Sequence, residues 1–257
     1  MDMTLPTKET RTYGAMTAGL LELMDWLVDA GCTHVAIRLS AVREGGVMSE
    51  GNIIARTPIP GTVASLTADL RRLGVEPGMA LLVHSSLSAL GWVCGGPVAV
   101  VQALMDALTP GGTLVMPTHT ANLSDPAGWR NPPVPPAWVP MIRATMPPFD
   151  PRVTPSYFMG HIVEVFRGWP GVARSAHPLN SFAAWGRHAE RIVGEHTLDD
   201  SLGEGSPLAR LYDLDGGVLL LGVGYDSNTS FHLAEYRTPG PPIVAQGAPI
   251  LDSGRRV

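Results

Sequence analysis

The constraint that most narrows the fold of this chain lies between residues 76 and 116, where two short apolar runs are separated by one loop and one helical stretch. Glu76-Pro77-Gly78 is a turn. It feeds an apolar run of strand length over 80–83, which breaks at 84–96 into a loop of hydroxyls and glycines. Pro97 stands at the start of a helix over 98–108, Pro110-Gly111-Gly112 stops it, and 113–116 is apolar again. Two strands joined through one helix at this spacing pair in parallel with a right-handed crossover, so the stretch predicts an α/β sheet with flanking helices.

The rest of the chain supplies partners for that unit. Thr62 is an expected N-cap, with Val63, Leu66, Leu70 and Leu73 on one helix face and Gly74 at the stop. Further helices are expected over 157–166, 187–193 and 207–214, the last with Ser206 as cap and Pro207 at the first helical position. Strands are expected over 182–185 and 218–223, with a helix opening at Thr229. Between 117 and 155 many prolines, with Trp129 and Trp138, leave little capacity for regular structure; such a loop reads either as a lid or as a surface excursion. Near the end, 243–245 and 249–251 read as a hairpin joined by Gln246-Gly247-Ala248.

Composition removes several classes of function. A chain of 257 residues, 45% hydrophobic, has ample apolar content for a packed core. A formal charge of -5 argues against a nucleic-acid-binding surface and is compatible with a cationic substrate. The two cysteines, Cys32 and Cys94, provide neither a disulfide framework nor a zinc cluster, and the histidines occur singly, so no metal is expected. Acidic Asp2 and Pro6 stand where a secretory signal would need a basic start and an apolar core, and no membrane span is visible, so a cytoplasmic chain is expected.

Three stretches place polar chemistry after an apolar strand: LLVHSSLSALGWVCGG (81–96), RSAHPLNSFAAWG (174–186) and LLLGVGYDSNTSFHLAEYR (219–237). Open α/β sheets bind ligands in the crevice beyond the carboxyl ends of their strands, so these stretches predict a shared site. In the second, Pro178 pushes His177 out of helical conformation and makes it a good mount for a proton-transfer group. A G-x-S-x-G nucleophile elbow, a phosphate-binding G-x-x-x-x-G-K-[ST] loop and a complete dinucleotide fingerprint are all missing. Taken together, in this order, the three stretches resemble the aminoglycoside 3-N-acetyltransferase family over residues 62–237.

That resemblance implies an α/β fold of the family's own type, distinct from the other large acetyltransferase superfamily, whose R/Q-x-x-G-x-G/A motif has no counterpart here. It implies acetyl transfer from acetyl-CoA to the 3-amino group of an aminoglycoside, with no metal and no covalent intermediate. On this reading Ser85, Ser86 and Leu87, with Thr118 at the next strand end, bind acetyl-CoA. His177 is the general base, oriented by Glu235 through its other ring nitrogen. Asp125, Glu204 and Asp226 are loop acids for a polycationic substrate, or ordinary surface charge. A serine-type hydrolase and a CoA-binding relic remain the competing readings.

Both ends depart from the family. Residues 1–50 read as an amphipathic helix with Leu20, Leu21, Met24, Leu27 and Val28 on one side, then a short strand; the segment 10–37 resembles a fragment of the DEDD-type insertion-sequence transposases, with Arg38 where that family has an acid. The expected organisation is therefore a fused N-terminal remnant over 1–50, a linker over 51–61 and an acetyltransferase domain over 62–257 that is short at its C-terminus.

Overall fold

A computed structural model describes residues 49–240 and 245–257. The helix and strand expected within 1–48, and the start of the expected C-terminal hairpin, lie outside the described residues. The sheet is built on the predicted unit: β1 (Ala80–Ser85) runs through the Gly96–Leu108 helix to β2 (Thr113–Pro117), and the two strands pair in parallel with Ala80 opposite Thr113. β5 (Gly217–Leu221) pairs in parallel on the other side of β1, with Leu82 opposite Val218. β4 (Phe182–Gly186) returns antiparallel to β2, and β3 (Ala173–Arg174) closes that edge, giving the order β3-β4-β2-β1-β5.

The near-continuous apolar sequence of the central strands follows from burial on both faces. Leu81, Val83 and Leu219 point into one layer, made by the Val63–Arg72, Gly96–Leu108 and His161–Arg167 helices. Leu82, Val115 and Leu220 point into the other, made by the Ala189–Val193, Pro207–Asp213 and Phe231–Arg237 helices. Leu81, Leu82 and Leu104 are fully buried, and truncating any of them to alanine should cost about 2–5 kcal/mol. Where β2 and β4 meet the preceding turn, a Cβ on Gly186 would stand 2.1 Å from the Gly112 carbonyl oxygen, so only glycine fits there.

Local signals set most helix ends as expected. Thr62 and Ser65 form a reciprocal capping box, and the Ser206 hydroxyl accepts from the Leu208 amide ahead of a helix with Pro207 in its first turn. The helix expected from 157 begins only at His161, because Phe158 (φ 57°) and Gly160 (φ 86°) adopt left-handed backbone that a right-handed helix cannot include. The long 117–155 segment holds three 3-10 turns and one helix, Val139–Thr145. Arg174 ties it to the sheet, donating to the Thr118 carbonyl at 2.8 Å, to the Thr118 and Ser181 hydroxyls, and to the Thr154 carbonyl.

Two expectations about the ends are corrected. Residues 51–61 are not a free linker: Ser49 caps a helix, Glu50–Ala55, whose Glu50 accepts from the Trp92 indole at 3.2 Å, and the Thr57 hydroxyl accepts from the Trp92 amide at 2.8 Å. The C-terminal hairpin pairs Leu251–Asp252 with Arg255–Arg256 around Ser253 and Gly254, both at positive φ, instead of turning at 246–248. A two-residue turn of that hand matches strand twist. Among the described residues no helix is long and apolar enough to cross a membrane.

Candidate active site

The strand ends Ser85 of β1 and Pro117 of β2, and Val223 just beyond β5, open into one cavity of about 970 Å³. The site therefore lies beyond the carboxyl ends of the strands, at the central strand where the connections diverge to either side. Ser86 continues the β1–β5 pairing through its amide, which donates to the Leu221 carbonyl at 2.9 Å, and the chain then enters a 3-10 turn, Leu87–Leu90. Gly222, at φ 76°, lets that turn close over β5, since a Cβ there would meet the Ala89 Cβ at 2.7 Å. Ser85, Ser86 and Leu87 all line the cavity, as the cofactor expectation requires. The Ser85 hydroxyl is buried and has no hydrogen-bond partner among the described residues, a costly state for a polar atom unless a ligand supplies one.

Thr118 sits elsewhere. It is fully buried, its hydroxyl 3.0 Å from the Ser181 hydroxyl and accepting from Arg174, so it serves the loop anchor and not the cavity surface.

The structure does not bring His177 and Glu235 together. His177 is 4% exposed, and its Nδ1 accepts the amides of Leu179 and Asn180 at 3.1 and 3.0 Å. That leaves the proton of the neutral ring on Nε2. Burial pushes its pKa down, with a hydrogen bond to the Leu198 backbone opposing, and its ring stacks on His196 with centroids 4.7 Å apart. Glu235 does not reach it as the orienting carboxylate: that side chain is exposed and bonds His232 Nδ1 at 2.6 Å, one turn earlier on the Phe231–Arg237 helix. His232 is the functional candidate that the sequence reasoning missed, and its signal was present as His and Glu three apart on a helix.

His232 follows by three residues Thr229, which lines the cavity along with Asp226 and Ser227. The Thr229 amide donates to His84 Nε2 at 3.4 Å, linking this loop to β1. His84 is buried and pushed down to about 4, and the half-buried His119 and His196 are pushed down to about 3 and about 4, desolvation being the largest cause in each. These rings are neutral near pH 7. Of the three candidate substrate acids, Asp226 is on the cavity wall. Asp125 is paired with Arg143 at 2.8 Å and caps a 3-10 turn, and Glu204 is paired with Arg237, so both already have cationic partners.

A serine hydrolase would need an accessible Ser–His pair. One pair is close, Ser175 Oγ to His196 Nδ1 at 2.9 Å, but Ser175 is 1% exposed and also accepts the Phe182 amide, while His196 Nε2 is 2.7 Å from the Ser201 carbonyl oxygen. It is a structural clasp.

A parallel-centred α/β sheet with a hydroxyl-lined cavity beyond its strand ends defines an α/β protein built around a ligand site at that edge. The family model for "Aminoglycoside 3-N-acetyltransferase" matches residues 82–257, and the chain belongs to that family. The SPbeta prophage-derived aminoglycoside N(3')-acetyltransferase-like protein YokD of Bacillus subtilis (strain 168) is 52% identical over 206 residues, 80% of this chain and 76% of its own. Aminoglycoside N(3)-acetyltransferase VIII of Streptomyces fradiae is 40% identical over 215 residues, 82% of this chain and 73% of its own. Among solved structures, that of Bacillus subtilis YokD superposes with a TM-score of 0.79, covering 80% of this chain and 77% of that one. AAC-IIIb, solved as a binary complex with CoASH, is 37% identical with a TM-score of 0.68, and AAC-VIa bound to sisomicin is 36% identical with a TM-score of 0.69. Each of these two pairs covers 77% of this chain and 74% of the other. The two-layer packing around a mixed sheet and the family are thus as the resemblance implied.

Proposed function

We propose that this chain transfers the acetyl group of acetyl-CoA directly to the 3-amino group of an aminoglycoside, with His232 as general base and Glu235 as its orienting carboxylate. The observation that carries the assignment of the base is the 2.6 Å bond between the two side chains on a solvent-facing helix turn. Relatives named for this reaction, one structure with CoASH and one with sisomicin support the substrates.

When bound, acetyl-CoA supplies an activated acetyl thioester; the residues of the chain do the rest. Glu235 holds His232 Nδ1 and orients the ring, which leaves Nε2 to take the proton that the attacking amine must lose. The Ser85 hydroxyl and the Ser85–Ser88 turn offer donors to the thioester oxygen or to the amides of the pantetheine arm as the C–S bond gives way to C–N. Asp226 and Glu50, which both line the cavity, attract the ammonium groups of the acceptor. His177 positions the loop that carries it and stays neutral. The unit that performs this includes the Glu50–Ala55 helix, whose Glu50 and Ile53 line the cavity. A reaction consuming acetyl-CoA, and the exposed free thiol of Cys94, fit the cytoplasm.

Release of free thiol from acetyl-CoA by the purified chain, followed with and without sisomicin, tests this directly. Thiol release that depends on the aminoglycoside, with a matching mass gain of one acetyl group, is expected. Release without the amine would make the protein a thioesterase, and release in neither case would make it a CoA-binding relic.

A further inference from the structure

One wall of the cavity carries a feature that packing does not explain. Phe158 lines the cavity, yet the residue is 87% exposed, and its backbone sits at φ 57° in the left-handed region that bulky residues avoid. Strain of that kind persists where surrounding contacts hold it, and here they do: the Tyr157 amide donates to the His119 carbonyl at 2.7 Å, and the Ser156 amide to Glu164 at 2.7 Å. The Tyr157 ring meets the Phe158 ring edge-on at 4.3 Å, which fixes the direction of an otherwise bare aromatic face.

On the reading that acetyl-CoA is the donor, we infer that Phe158 is the stacking platform for the adenine ring of CoA. Of the two substrates only the donor carries an aromatic ring, and an exposed phenyl face offers a flat base a large apolar contact without hydrogen-bond demands. The acids on the cavity wall come from other segments, Glu50 ahead of β1 and Asp226 after β5. Residues 158–163 contribute no carboxylate to it, and Glu164 is turned to Ser156 and Arg167. The His161–Arg167 helix packs on the Gly96–Leu108 helix, whose first residues, Gly96 and Pro97, also line the cavity, so this side presents the partly positive end of a helix dipole.

The experiment is calorimetric titration of the full chain with CoA, with pantetheine (the part of CoA that lacks the nucleotide) and with sisomicin. The variants are Phe158→Gly, which relieves the backbone strain, and Phe158→Trp, which keeps a platform. The expected result is CoA binding about tenfold weaker for Phe158→Gly and retained for Phe158→Trp, with pantetheine and sisomicin unchanged in both. Unchanged CoA affinity in Phe158→Gly, equal loss for pantetheine, or loss for sisomicin alone overturns the assignment. A wild-type chain that binds no CoA overturns it together with the donor on which it rests, and is read separately from the variant comparison.

Discussion

Glu235 Oε2 lies 2.6 Å from His232 Nδ1, three residues back on the same short helix, while His177 uses its own Nδ1 to accept two backbone amides. The same ring nitrogen thus does opposite work at the two positions. At His232 it faces a carboxylate; at His177 it accepts backbone amides in a buried setting that pushes the ring's pKa down.

Exchanging His232 for alanine should lower kcat by about 10²–10⁴-fold and leave thermal stability nearly unchanged, because the side chain is half exposed. Glu235→Gln should lower kcat by a smaller factor. His177→Ala should instead lower the unfolding midpoint, since it orphans two amides at a buried corner. Steady-state kinetics beside a urea melt separates the two roles; a His232→Ala enzyme with near wild-type kcat would return the base to another residue.

Removing the Ser85 hydroxyl as Ser85→Ala should leave the unliganded protein as stable as before, within about 1 kcal/mol, because that oxygen has no partner to lose among the described residues. Affinity for CoA should fall several-fold. Stability measured with and without CoA distinguishes a ligand-facing hydroxyl from an inert one.

Histidines desolvated by the fold should make it acid-sensitive. His84, His119 and His196 are held to about 4, about 3 and about 4, below the unfolded value near 6.5. Between those values the unfolded chain binds protons that the folded chain does not, so stability is full above about pH 6.5 and falls as pH drops towards 4. Each ring contributes a slope of up to about 1.4 kcal/mol per pH unit. Denaturant midpoints measured from pH 7 to pH 4 should decline throughout; a flat profile would mean that the rings are hydrated and free to titrate.

Arg174 spends its donors on neutral oxygens of Thr118, Ser181 and Thr154, and its cation lies 5.0 Å from the centre of the Phe149 ring. Lysine cannot reproduce that fork, so Arg174→Lys should cost about 1–3 kcal/mol and open the 117–155 segment to proteolysis. Limited digestion should cut the variant in that segment before the sheet, whereas cutting elsewhere first would show that the anchor is dispensable.

What the sequence determined by itself was local and periodic. The unit over 76–116, the Thr62 and Ser206 caps and the apolar central strands follow from capping chemistry, turn residues and burial on both sheet faces, all written within a few neighbouring residues. The placement of Ser85, Ser86 and Leu87 on a cavity followed too, because strand ends converge in any such sheet.

Tertiary structure decided which partner each polar group takes, since that depends on residues far apart in the chain. Thr118 is claimed by Arg174, 56 residues on, and Thr57 by Trp92, 35 residues on, so a predicted cofactor contact became an anchor and a predicted linker packs on the loop after β1, with Ile53 on the cavity wall. His177 was drawn inwards by the amides that follow Pro178, and Glu235 was taken by its helix neighbour. Pattern reveals that a histidine can carry a proton; only the surrounding burial and hydrogen bonds decide whether it is free to take one from a substrate.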